Sequence, residues 1–193
     1  MLSRSYFANQ TSCVGRRVWR QGRGPLVGWS GSGALAVFLS TFEKQLDGKR
    51  RIVVPQDFRA QTAGPFDGVF CFPSIEADCI EGGGKSLFDR YLGVVEELEF
   101  GDPIRSALEV SVLGGMAQLS YDTAGRITLP EILCEQFGLT DWVVVVGLGD
   151  RFQIWNRDAF QAHRAAQREV AREGLGTMRA QQRAAKLTAG SAG

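Results

Sequence analysis

Two short stretches of this 193-residue chain place an acid and an arginine four positions apart with turn-forming residues between them: Asp47-Gly-Lys-Arg-Arg51 and Asp122-Thr-Ala-Gly-Arg126. At that spacing a carboxylate and a guanidinium meet across a tight turn, and the acid holds the loop backbone and the planar fork in one geometry. Arginine contacts phosphate or the guanine O6/N7 edge bidentately, whereas lysine acts on phosphate as a point charge. Lys49, Arg50, Arg51 and Arg126 are therefore candidate DNA-binding residues, with Asp47, Asp122 and Gly125 organising the turns that carry them. The same residues also fit a plainer reading, in which each ion pair only staples a hairpin and Lys49 and Arg50 are solvated edge charges.

The elements that must position these turns repeat with them. At an offset of 75, Asp47 meets Asp122, Arg51 meets Arg126, Ile52 meets Ile127, Val54 meets Leu129, Pro55 meets Pro130, Phe58 meets Leu133 and Gln61 meets Gln136. The match continues to Val69 against Val144, beyond the motif itself, as an internal duplication requires. In each copy a strand enters the turn and a β-branched run leaves it, Arg51–Val54 and Arg126–Leu129. Pro55 and Pro130 then suit the first turn of a short helix, Gly64 and Gly138 stop it, and another β-rich run follows. The unit of about 45 residues is too small to hold a core alone, so two copies are expected to share one as an intramolecular pseudo-dimer. Between them, Leu87, Tyr91, Val94, Val95 and Leu98 have helical spacing, and Asp102-Pro103 opens a second helix that runs through Leu113 to Gly114-Gly115.

After Trp155 the chain is rich in Ala, Arg and Gln, with Arg164, Arg168 and Arg172 on one helical face. Such a stripe is a solvated face or an auxiliary contact to nucleic acid or to a neighbouring subunit. The last residues, Thr188 to Gly193, are expected to fray.

Composition narrows the function classes. No apolar run reaches the roughly 18 residues of a membrane span. The cysteines at 13, 71, 79 and 134 show no CxxC spacing, and His163 is the only histidine, so no metal site is expected and the cysteines read as small core residues. Enzyme signatures fail at single positions. Gly82-Gly-Gly-Lys85-Ser86 resembles the end of a phosphate loop, but the earlier glycine it requires is Cys79. Gly147-Leu-Gly149 meets Phe152 where a dinucleotide fingerprint has its third glycine, and Gly28-Trp-Ser30-Gly meets Ser32 where a nucleophile elbow closes. The expectation is a protein without cofactor, metal, small-molecule substrate or catalytic activity.

The net charge of +1 conceals a division. Of the 22 basic residues, five arginines lie in residues 1–37 with no acid, which leaves 17 basic against 21 acidic residues in 38–193, a net of −4. Binding to a polyanion must therefore come from a local patch. Residues 1–37, rich in Gly, Ser and Arg without periodicity, read as a disordered extension. Their composition fits a transit peptide or an over-extended translation start, with Val37 as the position of the true start.

With these residues in view, the chain resembles the MraZ family of bacterial transcriptional regulators. The resemblance covers about Phe38 to Trp155 and rests on Phe38-Leu-Ser-Thr-Phe-Glu-Lys-Gln-Leu-Asp, both Asp-x-x-x-Arg motifs, Val54-Pro55, Asp102-Pro103 and Val-Val-Gly-Leu-Gly-Asp-Arg-Phe-Gln-Ile-Trp155. It implies an α+β, β-rich fold of two tandem SpoVT/AbrB-type swapped-hairpin units, over 38–88 and 117–160, with a helical linker over 89–116 and a helical tail over 161–193. It further implies a cytoplasmic, nucleoid-associated protein that forms a homo-oligomeric ring and binds double-stranded DNA at promoter repeats of the division and cell-wall gene cluster, its own gene included. The family's signature pairs fall on Asp47 with Arg51 and on Asp122 with Arg126, and its basic loop residue on Lys49. The first loop departs from the family at Arg50, where glycine is usual; the departure suits an added phosphate contact or an altered turn. The resemblance has no counterpart for residues 1–37, which favours the start-site reading. The rival function is an oligomeric protein-interaction module whose basic turns are incidental.

Overall fold

The computed structural model describes residues 37–190, and the expectations for the N-terminal extension lie outside them. Strand β1 (Thr41–Gln45) leads through the first turn to β2 (Arg51–Val53), helix α1 (Gln56–Gln61) and β3 (Gly68–Pro73). The second copy repeats the order as β5 (Ala117–Ser120), β6 (Arg126–Thr128), α4 (Glu131–Gln136) and β7 (Trp142–Gly147). Each copy is extended by one more strand, β4 (Ile80–Gly83) and β8 (Phe152–Asn156). The repeated strand, turn, strand, helix, strand unit read from the sequence is therefore present twice.

The copies do not close on their own strands. β1 pairs with β7 and β5 with β3, all antiparallel, in a six-stranded sheet of order β1-β7-β8-β4-β3-β5. The order is symmetric about the β4–β8 contact, where Ile80 faces Ile154 and Glu81 faces Gln153. A second sheet has only two strands, β2 and β6, one from each copy, with Ile52 opposite Ile127. This exchange is the swapped-hairpin pseudo-dimer. Both isoleucines are buried in one core with Val54, Leu129, Phe58, Leu133, Val143 and Val145. Phe38, Phe58 and Phe152 meet there with ring centroids 5.1 to 5.6 Å apart. A large apolar core assembled from both copies is what makes the small units stable together.

The register corrects one sequence alignment. Gln45 pairs with Trp142 and its counterpart Ser120 pairs with Gly68, so Val69 is equivalent to Val143 rather than to Val144. The connection from helix to strand is one residue shorter in the second copy, and a run of four valines hides the deletion. The helix stops also differ. Gly138 follows α4 with φ +57°, a left-handed position that glycine adopts without penalty. α1 ends instead at Thr62, whose hydroxyl donates to the Arg59 carbonyl, and Gly64 lies beyond the cap.

Two helices link the copies. α2 (Lys85–Glu96) buries Leu87 and Val95 with Tyr91 packed beside Phe72 and leaves Val94 46% exposed, which narrows the apolar stripe expected there. α3 (Pro103–Leu108) starts with the Asp102 carboxylate accepting from the Ile104 amide at 2.7 Å and continues as a π-helical turn over Glu109–Leu113. The glycines once comparable to a phosphate loop have a packing role: a Cβ on Gly82 would stand 2.5 Å from the Phe152 ring, and one on Gly83 would stand 2.9 Å from Leu87. Finally α5 (Arg157–Gly190) projects from β8. It is seated by Trp155, whose ring lies 4.5 Å from that of His163. Cys71, Cys79 and Cys134 are free and buried, as small core residues should be. Burial pushes the Cys71 and Cys79 thiols up to about 12. Among the described residues no helix is long and apolar enough to cross a membrane, and no cluster of ligating side chains could hold a metal.

Candidate nucleic-acid interface

Both turns are built by the same bonds. In the first, Asp47 Oδ1 accepts from the amides of Lys49 and Arg51, each at 2.9 Å, and Oδ2 accepts from Arg51 Nε at 2.7 Å, with Nη2 of the same ion pair also 2.7 Å away. In the second, Asp122 Oδ1 accepts from the amides of Ala124 and Arg126 at 2.9 Å, and Oδ2 accepts from Arg126 Nε at 2.7 Å. The three-residue loop forces its last residue into left-handed backbone: φ is +58° at Arg50 and +69° at Gly125. The left-handed conformation is thus kept in the first turn despite the arginine.

These bonds fix the electrostatics. The Arg51 guanidinium and amide hold the Asp47 carboxyl at about 2, below its ordinary 3.8. The Arg126 amide and guanidinium hold Asp122 low in the same way. Neither acid is free to protonate near neutrality, so each arginine is tethered through Nε to a permanent anion. The remaining guanidinium edge is available to a ligand, with Arg51 at 29% and Arg126 at 32% side-chain exposure.

Strands β2 and β6 bring the turns to one surface. Alternation puts Ile52 and Ile127 inward and Arg51, Val53, Arg126 and Thr128 outward, with Arg51 opposite Thr128 and Val53 opposite Arg126. A depression of about 380 Å³ lies on that face, lined by Lys44, Gln45, Asp47, Arg51, Val53 and Arg126. The arginines of the two motifs are thus brought to one place. Lys49 stands exposed at the tip of the first turn. Arg50 is directed elsewhere: its Nη2 lies 3.6 Å from Glu131 Oε2 of α4. The ladder continues past both strands, since the Leu129 amide donates to the Arg50 carbonyl at 2.8 Å and the Val54 amide to the Gly125 carbonyl at 3.1 Å. Gly125 is buried and carries Arg59 of α1 against it.

Sequence reasoning missed Lys44 and Arg59. Lys44 lies in β1, before the motif, and only the pairing of strands brings it to the depression. Arg59 did leave a signal, because offset 75 sets it against Cys134, a mismatch between helices that agree at Phe58–Leu133 and Gln61–Gln136.

A two-stranded antiparallel ribbon with two tethered arginines on its outer face has the width and donors to enter a DNA groove. The family model described as "MraZ protein, putative antitoxin-like" matches residues 112–181, from the linker through the second turn into α5. A protein of Phenylobacterium zucineum (strain HLK1) named "Transcriptional regulator MraZ" is 81% identical over 160 residues, which cover 81% of this chain and 100% of its own length. One of the same name from Caulobacter vibrioides (strain NA1000 / CB15N) is 73% identical over 156 residues, again 81% of this chain and 100% of the relative. A more distant namesake from Rickettsia akari (strain Hartford) is 35% identical over 144 residues, 74% of this chain and 97% of its own. On the duplicated motif, the exchanged strands and these full-length matches, the chain belongs to the MraZ family.

Proposed function

We propose that this protein is a transcriptional regulator that binds double-stranded DNA in a sequence-specific way through the β2–β6 ribbon, and that it has no catalytic activity. The observation that carries the reading is the identical tethering of Arg51 and Arg126 on one outward ribbon face. In this reading Arg51 and Arg126 touch base edges, Lys49 and Arg50 touch phosphate, and Asp47, Asp122 and Gly125 hold the turns. The targets are promoter repeats of the division and cell-wall gene cluster, including the gene's own promoter. A cytoplasmic, nucleoid-associated homo-oligomer, read as a ring, would engage several repeats and convert modest contacts into avidity. The repeat units span 38–88 and 117–160, with the linker over 89–116 between them.

A second reading, a protein-interaction module, has one observation in its favour. A groove of about 650 Å³ runs between β7, β8 and α5, with Val146, Leu148 and Phe160 beside Arg151, Arg164 and Arg168. A footprint on the DNA upstream of the protein's own gene separates the two. The DNA-binding reading expects protection at regularly spaced repeats, lost as salt rises by about one log-log unit per phosphate neutralised. Absence of protection at any salt concentration contradicts it and favours the interaction module.

A further inference from the structure

We propose that Arg59 is a further DNA-contacting residue, doing at the second turn what Arg50 does at the first, but supplied by the helix of the other repeat copy. The inference rests on the DNA-binding reading above and extends it to a residue outside both Asp-x-x-x-Arg motifs.

Among the positions at which the two copies differ, two compensate each other. Offset 75 sets Arg50 against Gly125 and Arg59 against Cys134. At the second turn Arg59 Nε donates to the Val54 carbonyl at 3.3 Å, and the Val54 amide donates to the Gly125 carbonyl. The guanidinium lies against Gly125 so closely that a Cβ there would stand 2.6 Å from Arg59 Cζ and Nη1. At the first turn the arginine comes from the loop itself. Arg50 reaches towards α4, and the small Cys134 stands where Arg59 has its equivalent.

Each corner therefore holds one guanidinium, and at the second a side chain on residue 125 would collide with it. Backbone strain does not account for the asymmetry, because Arg50 already occupies the left-handed conformation that Gly125 adopts. The atoms nearest to a side chain at 125 all belong to the Arg59 guanidinium. The corners differ in charge compensation. Arg50 lies near Glu131, whereas the equivalent of Glu131 beside Arg59 is the neutral Gln56. Among the described residues Arg59 makes no ion pair. It is half-buried, fixed through Nε and adjacent to the residue that precedes Arg126, so its charge is ordered beside the reading arginine and lacks a protein anion. A backbone phosphate is the ligand chemistry that fits.

The test uses the full chain, the DNA upstream of its gene and a mixed-sequence duplex, with binding followed across salt concentrations and thermal midpoints recorded for each variant. Arg59→Ala is expected to weaken both DNAs alike, by about 3- to 10-fold, and to reduce the log-log salt slope by about one per engaged subunit. Arg59→Lys should keep the slope. Gly125→Arg alone should lose stability and binding, and the exchange Arg59→Cys with Gly125→Arg should restore both by recreating the first corner at the second. The proposal is overturned if Arg59→Ala keeps the wild-type slope while Arg51→Ala and Arg126→Ala lose affinity, or if the exchanged double variant is no better than Gly125→Arg. If Arg51→Ala and Arg126→Ala also bind as wild type, the DNA-binding reading falls and this inference falls with it.

Discussion

The first turn carries three consecutive cations and the second carries one, yet the carboxylate of each makes the same amide and guanidinium bonds within 0.1 Å. Geometry and charge are thus separable in this molecule. Asp and Arg at the ends of a three-residue loop fix the shape, and the residues between them vary the charge without disturbing it. Even the left-handed corner accepts Arg50 in one copy and Gly125 in the other. Shape is shared by the two copies, whereas positive charge is weighted towards the first.

The largest expected effect probes the shared part. Ile52→Ala and Ile127→Ala each remove a fully buried side chain facing its equivalent across the ribbon, so each should cost about 2–5 kcal/mol in chemical denaturation. Nearly equal losses support a symmetric ribbon. A loss confined to one isoleucine would show that the copies carry the core unequally.

Next come the two tethered arginines. Arg51→Ala and Arg126→Ala should each reduce affinity for the upstream DNA by roughly 10- to 100-fold if they touch bases, with little change for a mixed-sequence duplex. A tenfold disparity between them would break the equivalence that their bonds imply. Lys49→Ala should act on charge only, lowering affinity for all sequences by a few-fold and the salt slope by about one. Ala124→Lys at the matching position should raise both, if the difference between the turns is one of charge.

The smallest effect is on pH dependence. A carboxyl whose folded pKa is depressed contributes stability that is fully present above its ordinary value and is lost as pH falls through the folded one. For Asp47 that window runs from 3.8 down to about 2. Carbon-detected NMR of the side-chain carboxyl should therefore show Asp47 still ionised near pH 3, and Arg51→Ala should move its midpoint up towards 3.8. Asp122 should also titrate below its ordinary value and respond to Arg126→Ala in the same direction.

Much of this was legible in the sequence because the duplication puts every motif residue beside a control. Turns, strands, short helices and the helical linker all follow from Gly, Pro and β-branched spacing that appears twice. Strand exchange does not follow, since periodicity marks a strand without naming its partner; β1 with β7 and β3 with β5 had to be seen. β4 was hidden by its glycines, which resemble a loop but are required where Phe152 and Leu87 pack against the backbone. Lys44 and Arg59 were missed for a related reason: they reach the turns through tertiary contacts from β1 and α1. Only the Arg59–Cys134 mismatch recorded one of those contacts in sequence.

The central claim is that both turns read DNA together from one ribbon face. Its most direct test is the ratio of affinities for the upstream repeat and for a scrambled duplex of equal length, measured for wild type, Arg51→Ala, Arg126→Ala and the double variant. The account predicts that each single variant lowers the ratio about 10-fold or more and that the double variant brings it close to one. A ratio left at the wild-type value in variants that fold and assemble normally would contradict it.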